Sequence, residues 1–343
     1  MLKLATTANG VSVKQTPAPA RVRTIHFLRA PVMPVMKDAE GPAPFPQTGT
    51  TTTAPELYRE AFEYVIRTFT DLKAARRIDL SEAHSMACRI AAHLSAENGL
   101  LRLALDRTTP FSIQLHSVNV SIIAAKIAQT LNWPEHRIQQ VSLAALVHDV
   151  GAVRLPTSLI FKTASPAEQD RLEMKQRPLQ SAELLSGQPG FEWLRRMVLQ
   201  MHEREDGSGY PMGLRSREIC DEAKVLGVAD IFESCLHRSA HRPALTGYAA
   251  MQIIASDAHG FPERIRKAVI QSFSVYPYNE YVTLNTGEIA VVTDINPANS
   301  LRPVVRVLYS QHGILVSEPR TIDLVKHSQF WVHSALTAAE LPQ

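Results

Sequence analysis

Three regimes of hydrophobic and polar patterning follow one another along the chain. Up to residue 54 there is no sustained period. Eight of the 22 prolines fall at positions 17, 19, 31, 34, 42, 44, 46 and 55. Proline fixes φ and removes a backbone donor, so neither a helix nor a central strand is expected there. Residues 1–54 read as a Pro-rich, disordered tail or linker. Its one apolar island, HFLRAPVMPVM, is a candidate to dock on the body or to be the remnant of a small β domain. From Pro55 to about Phe273 apolar residues recur every three or four positions, the spacing of a helix with one buried face. Leu57, Tyr58, Ala61, Phe62, Val65, Ile66 and Phe69 mark the first helix, opened by Pro55-Glu56. A second runs from Ser81 to Ala96 and stops at Asn98-Gly99. A third runs from Ser112 to Leu131, ended by Asn132-Trp133-Pro134. A fourth runs from Glu135 to Asp149, broken by Val150-Gly151. Further helices fit 166–175, 178–186, 190–203, 221–237, 246–257 and 262–273. After Tyr276-Pro277 the period drops to two. YVTLN-TG-EIAVVTDI reads as a hairpin, and RPVVRVLY and GILVSE as two more strands. The expected architecture is mainly α: N-terminal helices over 55–105, a helical core over 106–275, and a small β-rich segment over 276–343.

Composition narrows the class. A hydrophobic share of 45% and a charged share of 20% are ordinary for a globular chain. Thirty-six Lys and Arg against 33 Asp and Glu leave a net charge of +3, too little to argue for a nucleic-acid partner. Cys88, Cys220 and Cys235 form neither a CxxC nor a disulfide framework, which suits a reducing cytoplasm. No apolar run reaches the roughly 18 residues of a membrane span, and the first residues lack the core of a secretory signal.

Against this background a few polar residues stand out. His148-Asp149 ends the apolar run VSLAALVHDVG, where Ile138, Val141, Ala145 and His148 share one helical face. A histidine there is most often a hydrogen-bonded core residue. Two adjacent polar groups at one buried helix end need partners or a metal. His116 lies on the face that carries Val120, Ile123 and Ile127. Asp230 follows KVLGVA, one turn after Leu226. Alone, each is weak. Together they are four N/O ligands on three helices, a reasonable set for one divalent metal. The fourth signal is HEREDGSGYP, residues 202–211. Gly207, Gly209 and Pro211 force a tight loop after a helix, with Tyr210 presented outward from it. A helix terminator explains the glycines and the proline, but not His202 and Glu203 directly ahead.

His116-Ser117, His148-Asp149-Val150-Gly151, His202-Glu203-x-x-Asp206-Gly207-x-Gly209-Tyr210-Pro211 and Val228-Ala229-Asp230 occur in this order. Together they resemble the HD-GYP family, a branch of the HD metal-dependent phosphohydrolases whose members hydrolyse cyclic di-GMP. The likeness covers about 55–275, and the β-rich segment resembles the tail often found behind that core. It implies an HD-type helical bundle with a first metal held by His116, His148, Asp149 and Asp230.

The second metal of the family is less well provided for. The position of one family histidine holds Arg177, and that of another holds Met201, with only His202 kept. A lysine expected after His148-Asp149-Val150-Gly151 is replaced by Ala152. Arg177 brings a fixed charge where a cation should bind, and a thioether is a poor ligand for a hard cation. The resemblance therefore implies one divalent transition metal, iron or manganese, and no second one. Asp149, His202 and Arg177 are the candidate catalytic residues. Lys162 and Arg154 are candidates to replace the missing lysine at a phosphate. Asp206, Gly207, Gly209, Tyr210 and Pro211 form a loop for substrate or partner, with a diguanylate cyclase domain as the implied protein partner. The expected function is a metal-dependent cyclic di-GMP phosphodiesterase of reduced activity. The alternatives are an inactive cyclic di-GMP receptor or interaction module, and an HD hydrolase of another nucleotide. The basic run His237, Arg238, His241 and Arg242 is read as a solvated surface, with a phosphate-facing edge as the alternative. His84 and His93 are read as structural.

Overall fold

The structure, a computed structural model, describes residues 52–109, 111–156, 159, 167–237 and 243–342. The helices that periodicity predicts are present. Helix α1 (Ala54–Lys73) is opened by a capping box in which Glu56 accepts from the amide and hydroxyl of Thr53 at 2.9 and 2.7 Å. It buries Leu57, Ala61, Tyr64, Val65 and Phe69. Helix α2 (Leu80–Ala96) starts at Asp79, whose carboxylate caps the amides of Ser81 and Glu82 at 2.9 and 3.1 Å. Asn98-Gly99, read as a stop, also begins a short helix α3 (Gly99–Ala104). It presses Leu100 and Leu101 into the core, an incentive stronger than the helix-breaking tendency of a glycine.

Helix α4 (Ile113–Thr130) is the axis of the body. It is buried almost all round, from Leu115 through Ala128. Around it pack α1, α2, α3, α5 (Glu135–Val147), α9 (Asp221–Leu236) and α11 (Glu263–Phe273). This all-round burial explains its weak amphipathic pattern. Full burial of each of Ile122, Ile123 and Ile127 contributes about 1.5–3 kcal/mol. Between α5 and α9 lie a 3₁₀ turn (Val150–Arg154), α6 (Glu168–Met174), α7 (Arg177–Leu184) and α8 (Glu192–Gln200). Helix α10 (Gly247–Ser256) precedes α11.

Behind the helices is a five-stranded antiparallel sheet, β1 (Tyr281–Leu284), β2 (Ile289–Asp294), β3 (Val304–Tyr309), β4 (Thr321–Asp323) and β5 (Val332–Leu336), in the order β4-β3-β2-β1-β5. It has its own small core of Val282, Leu284, Ala290, Val292, Val305 and Val307. The junction is pinned by Glu280, which is fully buried. It accepts from Arg107 at 2.8 Å and from the amides of Gly247 and Tyr248 at 2.9 and 3.2 Å. GILVSE, expected as a strand, forms only an isolated bridge between Leu315 and Tyr309. Ile314 and Leu315 face solvent, so no buried face holds that segment in a ladder. Two short segments weaker in pattern, β4 and β5, pair instead with β3 and β1. Among the described residues no helix is long and apolar enough to cross a membrane, and Cys88, Cys220 and Cys235 are unbridged.

Candidate metal centre

His116 projects from the second turn of α4, and His148-Asp149 directly follow the last turn of α5. All three are buried. Each brings one ligand atom within 4.8 Å of the others, a set able to hold a divalent cation. Asp230, in the third turn of α9, closes the group. Its Oδ1 lies 2.9 Å from His116 Nε2 and 3.9 Å from His148 Nε2, and its Oδ2 lies 3.9 Å from His202 Nδ1. The four residues expected from the sequence are thus brought together.

His148 carries the most telling detail. Its Nδ1 donates to the carbonyl of Ala145 at 2.7 Å, which in the neutral ring leaves the lone pair on Nε2. That Nε2 is buried without a hydrogen-bond partner. It faces carboxylate oxygens of Asp149 at 3.7 Å and Asp230 at 3.9 Å. A buried lone pair facing two carboxylates is repulsive unless a proton or a metal cation lies between them. Two imidazoles and two carboxylates suit such a cation chemically.

A network behind the cluster was missed by sequence reasoning. Glu233, one turn beyond Asp230 on α9, accepts a short hydrogen bond from His116 Nδ1. It also accepts from Asn119 Nδ2 at 3.0 Å and His237 Nδ1 at 2.9 Å. Tyr58 of α1 donates to Asn119 at 2.6 Å. A carboxylate behind a ligating histidine fixes its tautomer and orientation. The Asp230-x-x-Glu233 spacing was the available signal. Burial opposes charge on His116, but Glu233 and Asp230 outweigh it, so the metal-free imidazole titrates well above its usual range. Asp230 is held far below the carboxylate range: burial works against ionisation, and the neighbouring histidines overcome it. His202 is the opposite case. Burial pushes it down to about 4, so it is neutral at physiological pH.

Arg177, at the first turn of α7, donates to Asp149 Oδ2 at 3.1 Å. Burial raises the Asp149 pKa, but Arg177 and the two histidines overrule it and hold the carboxyl below its usual range. Gly151 sets this contact. A Cβ there would lie 2.6 Å from the carbonyl of Arg177 and 2.6 Å from the amide of Ser181. Its own amide donates to Ser181 Oγ at 2.8 Å. Only a glycine lets the turn after His148-Asp149 close so tightly on α7.

The loop after α8 is folded back on the same site. Glu203 accepts from the amides of Met212 at 2.7 Å and Leu214 at 2.9 Å. The Tyr210 amide donates to the carbonyl of His202 at 3.2 Å. Asp206 caps the Ser208 amide at 2.9 Å. Gly207 adopts a positive φ, and a Cβ on Gly209 would sit 2.4 Å from the Cα of Glu203. The expectation that Tyr210 points outward is corrected here. Its ring stacks on His202 with centroids 4.8 Å apart, covered on one side by Lys175 at 5.4 Å. Stacking on a neutral imidazole buries most of the ring, which solvent would not. Met201 is packed in the core. Arg154 is paired with Glu183 at 2.5 Å. Lys162, and Arg238, His241 and Arg242 of the basic run, lie outside the described residues. His237 is buried rather than solvated, held by Glu233 and by the carbonyl of Asp106 at 3.3 Å.

The chain is similar to known proteins over both its helical and its β-rich parts. Residues 73–261 match the model of the HD domain, and residues 281–343 match a KOW domain associated with the HD domain. A cyclic di-GMP phosphodiesterase of Pseudomonas aeruginosa is 26% identical over 270 residues, 77% of this chain and 64% of that protein. The cyclic di-GMP phosphodiesterase response regulator RpfG of Xanthomonas campestris is 36% identical over 134 residues, 38% of this chain and 35% of that protein. The chain therefore spans less than two thirds of the length of these relatives. In fold it is similar to the solved structure of an HDG"Y"P protein from Bdellovibrio bacteriovorus. The TM-score is 0.54 at 18% identity, covering 66% of this chain and 73% of that one.

Proposed function

The chain belongs to the HD domain family, and we propose that it is an HD-GYP-type cyclic di-GMP phosphodiesterase of reduced activity that works with one divalent metal, iron or manganese. The observation that carries this reading is the unpartnered, buried Nε2 of His148 facing the carboxylates of Asp149 and Asp230. His116, His148, Asp149 and Asp230 would hold the metal. When bound, it supplies Lewis-acid polarisation of the phosphate and lowers the pKa of water.

The remaining chemistry falls to the chain's own groups. Arg177 is a permanent charge beside Asp149, in the place of a second cation. Its buried Nε has no partner, so an N–H remains to meet a phosphate oxygen as well as the contact with Asp149. His202, held neutral, offers a hydrogen bond without a fixed charge. Tyr210, stacked on it, keeps that ring in place. A single guanidinium cannot clamp attacking and leaving oxygens as a second metal does. The cost is several kcal/mol of transition-state stabilisation, roughly a thousandfold in rate.

The similarity to cyclic di-GMP phosphodiesterases supports cyclic di-GMP as the substrate. The Asp206–Pro211 loop is proposed to contact substrate and a diguanylate cyclase domain, in a cytoplasmic setting. We also propose the division into a 1–54 linker, N-terminal helices over 55–105, the HD-GYP core over 106–275 and the β-rich segment over 276–343. The test is single-turnover cleavage of cyclic di-GMP by the full chain with manganese or iron. It is run beside the double variant Arg177→His, Met201→His. Slow, chelator-sensitive cleavage, with a large gain in the double variant, supports the reading. Binding without any cleavage in the metal-loaded chain would replace it with that of a receptor.

A further inference from the structure

Phe111 precedes the Ser112 cap of α4 and is 42% exposed, although phenylalanine is a residue that folding usually buries. It does not stand on open surface away from the site. Its ring centroid lies 6.0 Å from that of His116, at an interplanar angle of 52°. One side chain further in is Asp230, whose Oδ1 is 2.9 Å from His116 Nε2. Tyr210 has a matching relation to the other oxygen. It stacks on His202, which faces Asp230 Oδ2 at 3.9 Å. Each oxygen of Asp230 is therefore backed by a histidine and then an aromatic ring. The Tyr210 ring already has His202 and Lys175 against it. Phe111 keeps solvent-exposed area beside the ligand cluster.

We propose that Phe111 is the stacking platform for one purine base of the cyclic dinucleotide, an assignment that rests on the function proposed above. In a cyclic dinucleotide both bases project from one ring of two phosphodiesters. A base is therefore carried next to whichever phosphate lies at the metal ligands. Arg177 meets the phosphate charge and is engaged with Asp149. A phenylalanine has no hydrogen-bonding group with which to read a base edge. It holds purines by their faces and does not choose among them, since every base has one.

The test is equilibrium binding of cyclic di-GMP by calorimetry to the full chain loaded with manganese. Natural protein is compared with Phe111→Ala, Phe111→Trp and Phe111→Leu. Loss of base–aromatic stacking should weaken binding about 5- to 150-fold in Phe111→Ala. Phe111→Trp should restore it and Phe111→Leu should not. Cyclic GMP-AMP should lose the same factor. Manganese content and the binding of inorganic phosphate, which has no base, should stay unchanged in every variant. Unaltered cyclic di-GMP binding in Phe111→Ala overturns the proposal while leaving the function intact. So does equal rescue by leucine, or a fall in manganese content, which would make Phe111 a support for His116. A natural chain that holds manganese and binds no cyclic di-GMP overturns the function itself, and this assignment with it.

Discussion

Replacing Glu233 by glutamine should unseat the metal without touching a ligand. Glu233 Oε1 accepts from Asn119 at 3.0 Å and His237 at 2.9 Å, and its Oε2 accepts from His116 Nδ1. Glutamine has one oxygen and one amide group, so it cannot serve both sides. If its oxygen stays with Asn119 and His237, its NH2 faces His116 Nδ1. The ring must then carry its proton on Nε2, the atom that points at Asp230 and would bind metal. If the amide turns over, His116 keeps its tautomer, but two buried donors lose their acceptor. Each unsatisfied donor costs about 1–3 kcal/mol. The first arrangement avoids both losses, so it wins by at least the cost of one of them. Metal affinity should fall roughly 10- to 100-fold, the range known for groups behind ligating histidines. A competition titration against a chelator of known affinity measures this, with circular dichroism to show that the helices persist. An affinity within twofold of the natural chain in a folded Glu233→Gln variant would refute the tautomer argument.

Two further outcomes follow from the same geometry. His237 titrates above its ordinary range: burial opposes its charge, and Glu233 more than compensates. Its stabilisation is therefore complete below about pH 6.5 and lost as pH rises through the raised value. In denaturant titrations the stability gap between the natural chain and His237→Gln should be constant at low pH and narrow above neutrality, and a gap that widens there would contradict it. Gly151→Ala places a methyl 2.6 Å from the carbonyl of Arg177. It should cost about 1–3 kcal/mol in denaturant unfolding and separate Arg177 from Asp149; full stability would show that α7 can shift freely.

How much of this was legible in the sequence depended on whether a residue's role is local. The helical periods from Pro55 to Phe273 gave the body because one face of each helix is buried within its own segment. Helix α4 was still readable, despite being buried all round, through its cap at Ser112 and its stop at Asn132-Trp133-Pro134. His116, His148, Asp149 and Asp230 were legible because polar groups are out of place among Val, Ile and Leu. Glu233 was not, since it lies in a helix where a glutamate looks like solvated surface. Its burial comes from Asn119 and, one step further, Tyr58, partners on other helices, together with His237 at the end of its own helix. Tyr210 was misread for a similar reason. The glycines around it define the loop, but the direction of its ring is set by His202. GILVSE shows the converse: an apolar, β-prone stretch that finds no second layer to cover it.

The central claim is that this HD domain holds one metal, with Arg177 standing where another cation would be. Elemental analysis of the full chain, purified gently and reconstituted anaerobically with excess iron or manganese, tests it most directly. The account predicts about one metal per chain, lost in His148→Ala, and about two in the double variant Arg177→His, Met201→His. Two metals per natural chain, with Arg177 and Met201 in place, would contradict it.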